Sequence, residues 1–344
     1  MDVQELQDRD RDRWDRYVQT SPLSTFFHLS GWRDVWVRSM GSRALYLFAT
    51  EGDRVVGILP LLHVRSLLSG QFLTSLPGGL CAEDDEAAEA LLARARELLA
   101  ETGARYLILR DGLRRWELPG LVTSDEHCTF TIDVSDGAEK AYARLRRSTR
   151  KYAMRGVRAG VGTAIDQQAL GAFYPAYAEA MRERGTPTPG RRFFETAMQH
   201  FPDELCLLTV VHEDNVLGGG FVAPLRDTVF CTWSGLPRQH FELYNSYLLY
   251  WGAIGYAAQL GMARLDMGRC RRGTGSYDFK VAWGGEEQPL YQHYYLNGIE
   301  HPPQVGAALY ENPKYRFFSR LWQRLPLPVA EALGPQLRRR MPFG

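Results

Sequence analysis

LYLFATEGDRVVG, residues Leu45–Gly57, aligns without a gap on CLLTVVHEDNVLG, residues Cys206–Gly218. Each copy has an apolar run, a short acidic turn at Asp53 or Asp214, and a second apolar run from Val55 or Val216. Apolar runs bounded by turn residues in this way predict a pair of antiparallel strands. Downstream the pattern recurs. Leu91–Ala100 is helical in pattern and leads through Thr102 and Gly103 into the strand-like ARYLILR, Ala104–Arg110. Leu248–Leu260 leads through Gly261 into ARLDMGR, Ala263–Arg269. The offset is about 160 residues both times, so the repeating unit is a domain and not a solenoid module. Each copy orders helices, a strand pair, a helix and a further strand. That order implies an α+β domain built on one mixed, mostly antiparallel sheet flanked by helices.

A chain of 344 residues suits two such domains. The strand-like TFTIDV, Thr129–Val134, is followed by turn residues Asp136 and Gly137, which predicts a boundary there. The expected division is 1–135, 136–300 and a basic, aromatic tail over 301–344. A formal net charge of +1 gives no global attraction to polyanions, so any such ligand needs a local patch. The five cysteines are scattered, with no C-x-x-C pair, which predicts reduced thiols, a cytoplasmic protein and no zinc site. The charged opening MDVQELQDRDRDRWDRY has no apolar core of a signal peptide. No stretch is apolar for long enough to predict a membrane span.

The two copies differ in chemistry. The second ends its strand in LDMGRCRRGTGSYDFKVAWGG, Leu265–Gly285, where the first has become apolar at Leu107, Ile108 and Leu109, with Arg110 and then Asp111 and Gly112 after them. The first copy is therefore expected to be scaffold and one wall of a cleft. In the second, Lys280 follows a Gly-rich loop and suits stabilisation of an oxyanion, or neutralisation of a carboxylate or phosphate. A surface lysine at the start of a strand is the plain alternative. Gly273, Thr274, Gly275 and Ser276 suit backbone approach to a ligand, and a tight turn explains them equally. Arg269, Arg271 and Arg272 add forked donors. Asp266 in an apolar strand demands a partner, Arg269 or Arg264 being the expected ones, and a general-base role is the lesser reading. Tyr142–Gly160 reads as one helix carrying seven cations with no acid between Glu139 and Asp166. Arg147 and Arg150 stand at its centre as candidates for a polyanionic substrate. Pairing of this face with acids such as Glu83, Asp84, Asp85 and Glu86 is the competing account. Tyr244 and Asn245 open another helix, where an acyl or peptide ligand, a cap and ordinary core packing are all open readings.

Taken together these strings resemble the FemABX aminoacyltransferases and their relatives in exosortase/PEP-CTERM gene neighbourhoods. The resemblance rests on Leu265–Gly285, on the basic helix, on the Gly-Thr-Pro string of RERGTPTPGRRFFE (Arg182–Glu195) and on STFFHLSGW (Ser24–Trp32). FemABX proteins are two GNAT-like domains in tandem, with the element order found above, so the resemblance covers nearly the whole chain. It implies that Phe279, Lys280, Trp283 and Gly284 belong to the catalytic centre. It also implies transfer of an acyl or aminoacyl group from an activated donor to an amine, without a covalent enzyme intermediate, in envelope or exopolysaccharide assembly. No tightly bound cofactor or metal is expected; aminoacyl-tRNA or an acyl thioester would be the co-substrate. The acceptor would be an amine-bearing envelope precursor or small molecule.

GNAT enzymes that use acyl-CoA typically carry a Q/R-x-x-G-x-G/A loop after the fourth strand, where this chain has LPRQHFELYN (Leu236–Asn245) without a glycine. That weakens coenzyme A in the usual mode. A transferase dependent on acyl-CoA or acyl-carrier protein remains the alternative within enzymes, and a binding or assembly factor that kept the fold is the alternative outside them. The tail YRFFSRLWQRLPLPVAEALGPQLRRRMPFG, Tyr315–Gly344, suits either a lid that folds back or peripheral contact with an anionic inner-membrane face.

Overall fold

The structure, a computed structural model, describes residues 1–66, 69–299 and 313–340. The chain forms two compact units. One comprises Met1–Cys128, Pro289–Pro313 and Gln336–Gly344; the other comprises Thr129–Gln288 and Lys314–Pro335.

The first unit contains β1 (Asp2–Glu5), α1 (Arg11–Thr20), α2 (Gly31–Val35), β2 (Arg43–Glu51), β3 (Arg54–Ser66), β4 (Gly70–Pro77), β5 (Cys81–Ala82), α3 (Asp85–Thr102), β6 (Tyr106–Gly112) and the start of β7 (Leu121–Asp133). The second contains the end of β7, then α4 (Ala138–Arg144), α5 (Arg147–Arg158), β8 (Gly162–Ile165), α6 (Leu170–Glu183), α7 (Arg191–His200), β9 (Cys206–His212), β10 (Asn215–Leu225), β11 (Thr228–Gly235), α8 (Asn245–Gln259), β12 (Arg264–Asp266), β13 (Cys270–Arg271), α9 (Gly275–Val281) and the start of β14 (Glu286–Leu296). Two helices, Pro313–Gln323 and Leu327–Arg338, follow.

The repeat is realised element by element. Leu45–Gly57 falls in the antiparallel pair β2–β3, and Cys206–Gly218 in the antiparallel pair β9–β10. The sheet order of the first unit is β1-β2-β3-β4-β6-β14, and that of the second, read in the same sense, is β8-β9-β10-β11-β12-β7. In each, one parallel pair sits near the end, β4 with β6 and β11 with β12. The helix before that last parallel strand covers the sheet. α3 starts where the Asp84 carboxylate accepts the Ala87 amide at 2.8 Å and ends at Gly103 in the left-handed region. Its Leu91, Leu92, Leu98 and Leu99 are buried with Leu47, Leu59, Leu61 and Leu107 from β2, β3 and β6. The architecture is thus a tandem duplication of the acyl-CoA N-acyltransferase fold.

Three sequence expectations are corrected. Thr129–Val134, expected to close the first domain, supplies the strand beside β12 in the second unit, with Thr131 opposite Asp266 and Asp133 opposite Arg264. The first unit is closed instead by Pro289–Leu296 of β14, paired with β6. The expected single basic helix is two, because Leu145 and Arg146 are extended; Leu145 turns inward to a buried position between α4 and α5. The end of the first parallel pair is not apolar. Buried Asp111, in the left-handed region at φ +53°, accepts from Gln292, whose carbonyl oxygen takes the Tyr294 hydroxyl at 2.8 Å.

Part of the tail folds back. The Arg182 guanidinium, at the end of α6, donates to the carbonyls of Gln323 and Leu325 at 2.9 and 3.0 Å. Tyr315 and Trp322 are buried, whereas Phe317 and Leu321 face outward at 71% and 54% exposure. Residues 301–312 and 341–344 of the expected tail lie outside the described residues. Among the described residues no helix is long and apolar enough to cross a membrane, and no group of three or more His, Cys, Asp or Glu side chains could hold a metal ion.

Candidate active site

β11 and β12 run parallel for three register pairs, ending with Phe230 opposite Asp266. β12 stops there while β11 continues to Gly235, so the strands part at the C-terminal end of the pair. Gly268 makes the parting. Its φ is +78°, and a Cβ at this position would stand 2.6 Å from the Cys231 carbonyl oxygen of β11. Only glycine permits both the left-handed backbone and this approach.

Asp266 sits at the fork. Its Oδ1 accepts from the Thr129 hydroxyl and from the Gly268 amide, each at 2.6 Å. These donors take the place of the expected arginines; Arg264 instead forks onto Asp227 at 3.0 and 2.8 Å. Burial raises the Asp266 pKa above the ordinary carboxylate value, against the opposing pull of Thr129, Gly268 and the Lys280 charge. A raised folded-state pKa makes ionisation costly to folding. The stability linked to protonated Asp266 is complete below the unfolded value of 3.8 and lost as pH rises through the folded value. Asp266→Asn, which cannot ionise, should therefore match wild type in acid and become the more stable chain toward neutral pH. Denaturant titrations at several pH values measure this, and parallel curves would remove the strained carboxylate.

Lys280 is not at a strand start. It lies in the last turn of α9 and is 3% exposed. Its ammonium donates to the carbonyl oxygen of Gly268 and, at 3.2 Å, to that of Arg269. The Gly-rich loop becomes the start of the same helix. Gly273 takes φ +74°, and Thr274 is the cap, accepting the Tyr277 amide while its hydroxyl donates to Arg271 O at 2.7 Å. Gly275 and Ser276 form the exposed first turn. Arg272 pairs with Glu287 at 2.7 Å, and the Tyr277 hydroxyl meets the same carboxylate.

Beside this turn lies a cluster of rings. Tyr247 and Tyr250 of α8 meet Phe279 at 5.1 and 5.8 Å and Trp283 at 6.1 and 5.6 Å between centroids. Tyr152 of α5 joins it, 5.7 Å from Tyr244 and 5.2 Å from Tyr247. α5 can approach because it carries Gly156, where a Cβ would lie 2.2 Å from Leu248 Cδ2. Trp283 is buried, and its indole N–H meets no acceptor. Asn245 is wholly buried and fixes its own loop, accepting the Ser246 amide at 2.8 Å and donating to Pro237 O. Arg147 and Arg150 lie on the exposed face of α5.

The structure thus brings Asp266, Arg269, Lys280, Phe279, Trp283 and Tyr244 into one region, and leaves Thr274 as a helix cap and Asn245 as a brace of its own loop. Sequence reasoning missed Thr129, Tyr152, Tyr250 and Cys231. Burial and the neighbouring Asp266 push the Cys231 thiol up to about 12, so it stays protonated near neutral pH and is a poor nucleophile. Tyr152 carried a signal, the one aromatic between Arg147 and Arg158.

Residues 139–281 match the acetyltransferase (GNAT) domain model. No curated protein matches the sequence significantly. Among solved structures, the chain is similar to FemX at 12% identity and a TM-score of 0.65, over 86% of this chain and 97% of that one. It is similar to the C-terminal domain of a putative lysylphosphatidylglycerol synthetase from Agrobacterium fabrum, at 13% identity and 0.54, over 84% and 92%. A tandem GNAT protein from the clavulanic acid biosynthesis pathway is similar at 14% and 0.51, over 87% and 99%. The structural likenesses show the fold. The domain match shows the class, an acyltransferase-type enzyme.

Proposed function

We propose that the protein transfers an acyl or aminoacyl group from an activated donor to an amine in the manner of the FemABX enzymes, with an envelope precursor as acceptor. The observation that carries this reading is the fork of β11 and β12, with Asp266, Gly268 and Lys280 gathered at its base and rings beside it. The amine nitrogen attacks the carbonyl carbon, a C–N bond forms, and the C–O or C–S bond of the donor breaks. The leaving hydroxyl or thiol takes up the proton that the amine sheds. Lys280 supplies positive charge as the carbonyl oxygen turns anionic. In this reading Asp266, whose pKa burial raises, relays the amine proton. Phe279, Trp283 and Tyr244 line the acyl group, and Gly273–Ser276 with Arg269 border it.

The charge of α5 favours an aminoacyl-tRNA as donor. Arg146, Arg147, Arg150, Lys151, Arg155 and Arg158 form no ion pair among the described residues, whereas Glu83 and Asp85 pair with Arg54 and Arg114 and Asp84 caps α3. Unpaired cations on one helix face are the footprint of a polyanion. Arg147→Glu with Arg150→Glu is expected to weaken tRNA binding by roughly tenfold or more and to flatten its salt dependence. Filter binding across a salt series measures this, and an unchanged slope removes the role. Incubation with charged tRNA, acyl-CoA and acyl-carrier protein, each with a primary amine, followed by mass analysis, tests the reaction itself. Transfer from a thioester alone would shift the reading to an acyl-CoA or carrier-protein enzyme. Transfer from none would leave an assembly factor. The outward Phe317 and Leu321, with Arg316 and Arg320, support peripheral contact of the tail with a membrane.

A further inference from the structure

The last arginines of the chain come to rest in a basic cavity of the first unit, at the opposite end of its sheet from Arg110 and Asp111. The register of the sheet builds it. Arg43 on β2 lies opposite His63 on β3, and Arg65 follows His63 by two residues. All three side chains therefore share one face. Arg339 and Arg340 complete the rim, and the Arg339 guanidinium donates to Ser39 O at 3.0 Å. The cavity has a volume of about 350 Å³, and the buried Trp36 and Met40 stand among its walls. That volume lies within the usual span of small-molecule sites, about 300–1,000 Å³.

These cations have no carboxylate among them, whereas many arginines of the first unit meet one: Arg11 with Asp34, Arg54 with Glu51 and Glu83, Arg94 with Glu97, Arg96 with Glu89. Arg43, Arg65, Arg339 and Arg340 form no ion pair among the described residues, and no acid lines the cavity. Like charges held together on neighbouring strands repel and cost stability. Burial and the charges of Arg65 and Arg43 hold His63 below its ordinary pKa, so it stays neutral and hydrogen-bonds Gln71 at 3.1 Å. A bound anion with several acceptor oxygens relieves the repulsion and uses the forked donors; phosphate fits that geometry better than a single carboxylate.

We propose that this cavity is a binding site for a phosphate-bearing ligand, separate from the acyl-transfer site and independent of the reading given for it. The test uses the full chain carrying Arg147→Glu and Arg150→Glu, so that α5 does not compete. Calorimetric titration with pyrophosphate is expected to show one site, weakened about tenfold or more by Arg43→Gln with Arg65→Gln, since charged forks are the main contacts. Arg339→Gln with Arg340→Gln should weaken it as well. Both pairs are solvent-facing, so thermal midpoints should hold; should the first pair fail to fold, Arg340→Gln alone carries the test. Co-sedimentation with phosphatidylglycerol vesicles, against phosphatidylcholine, distinguishes a lipid headgroup from a soluble phosphate by the same dependence on Arg43 and Arg65. Absence of both kinds of binding, or binding indifferent to these arginines, overturns the proposal.

Discussion

Lys280→Met should lower kcat about a hundredfold, the loss typical of removing one group that stabilises a developing oxyanion. KM should change little, because the interaction strengthens only as charge develops. The ammonium is buried and held by the Gly268 and Arg269 carbonyls. Methionine keeps the length of the side chain and removes the charge. A second effect separates a chemical role from a merely structural one. Lys280 pulls the Asp266 pKa down, so its removal should move the acid limb of the pH–rate profile upward. A variant with normal kcat, an unmoved profile and a lower melting temperature would show that Lys280 only ties the 268–269 turn to α9.

Trp283→Ala should cost about 3–5 kcal/mol of stability, the range for deleting a large buried ring. Trp283 is 1% exposed and packs on Tyr247, Tyr250 and Phe279. Trp283→Phe should keep most of the contacts and most of the stability. Urea denaturation followed by circular dichroism provides the comparison. A loss below about 1 kcal/mol for alanine would mean that the rings rearrange freely. The cluster would then be no rigid wall for an acyl group.

The duplication was legible because each hairpin carries its own turn, so Leu45–Gly57 and Cys206–Gly218 can be read without knowing their neighbours. The chemical inequality of the two strand ends was legible too, since Asp266, Gly268 and the following arginines have no counterpart among Leu107–Leu109. Gly273–Lys280 reads as an open loop because glycines flank Thr274, yet Thr274 three residues before Tyr277 is a cap signal, and the segment is helical from Gly275. The polar end of the first parallel pair was not legible because Gln292, which meets Asp111 and is itself held by Tyr294, lies on a strand far along the chain.

By itself, then, the sequence determined the two-fold repeat, the type of its repeated strands and helices, and which copy keeps the richer set of charged groups at its strand end. These follow from periodicity and turn chemistry, which act over a few residues. Only the tertiary structure decided that Thr129–Asp133 closes the second sheet and Pro289–Leu296 the first, that Thr129 and not an arginine meets Asp266, and that Arg339 joins Arg43 and Arg65. Each of these is a choice among partners distant in sequence. The alternation of a strand fixes which side chains share a face but not which strand will lie beside it.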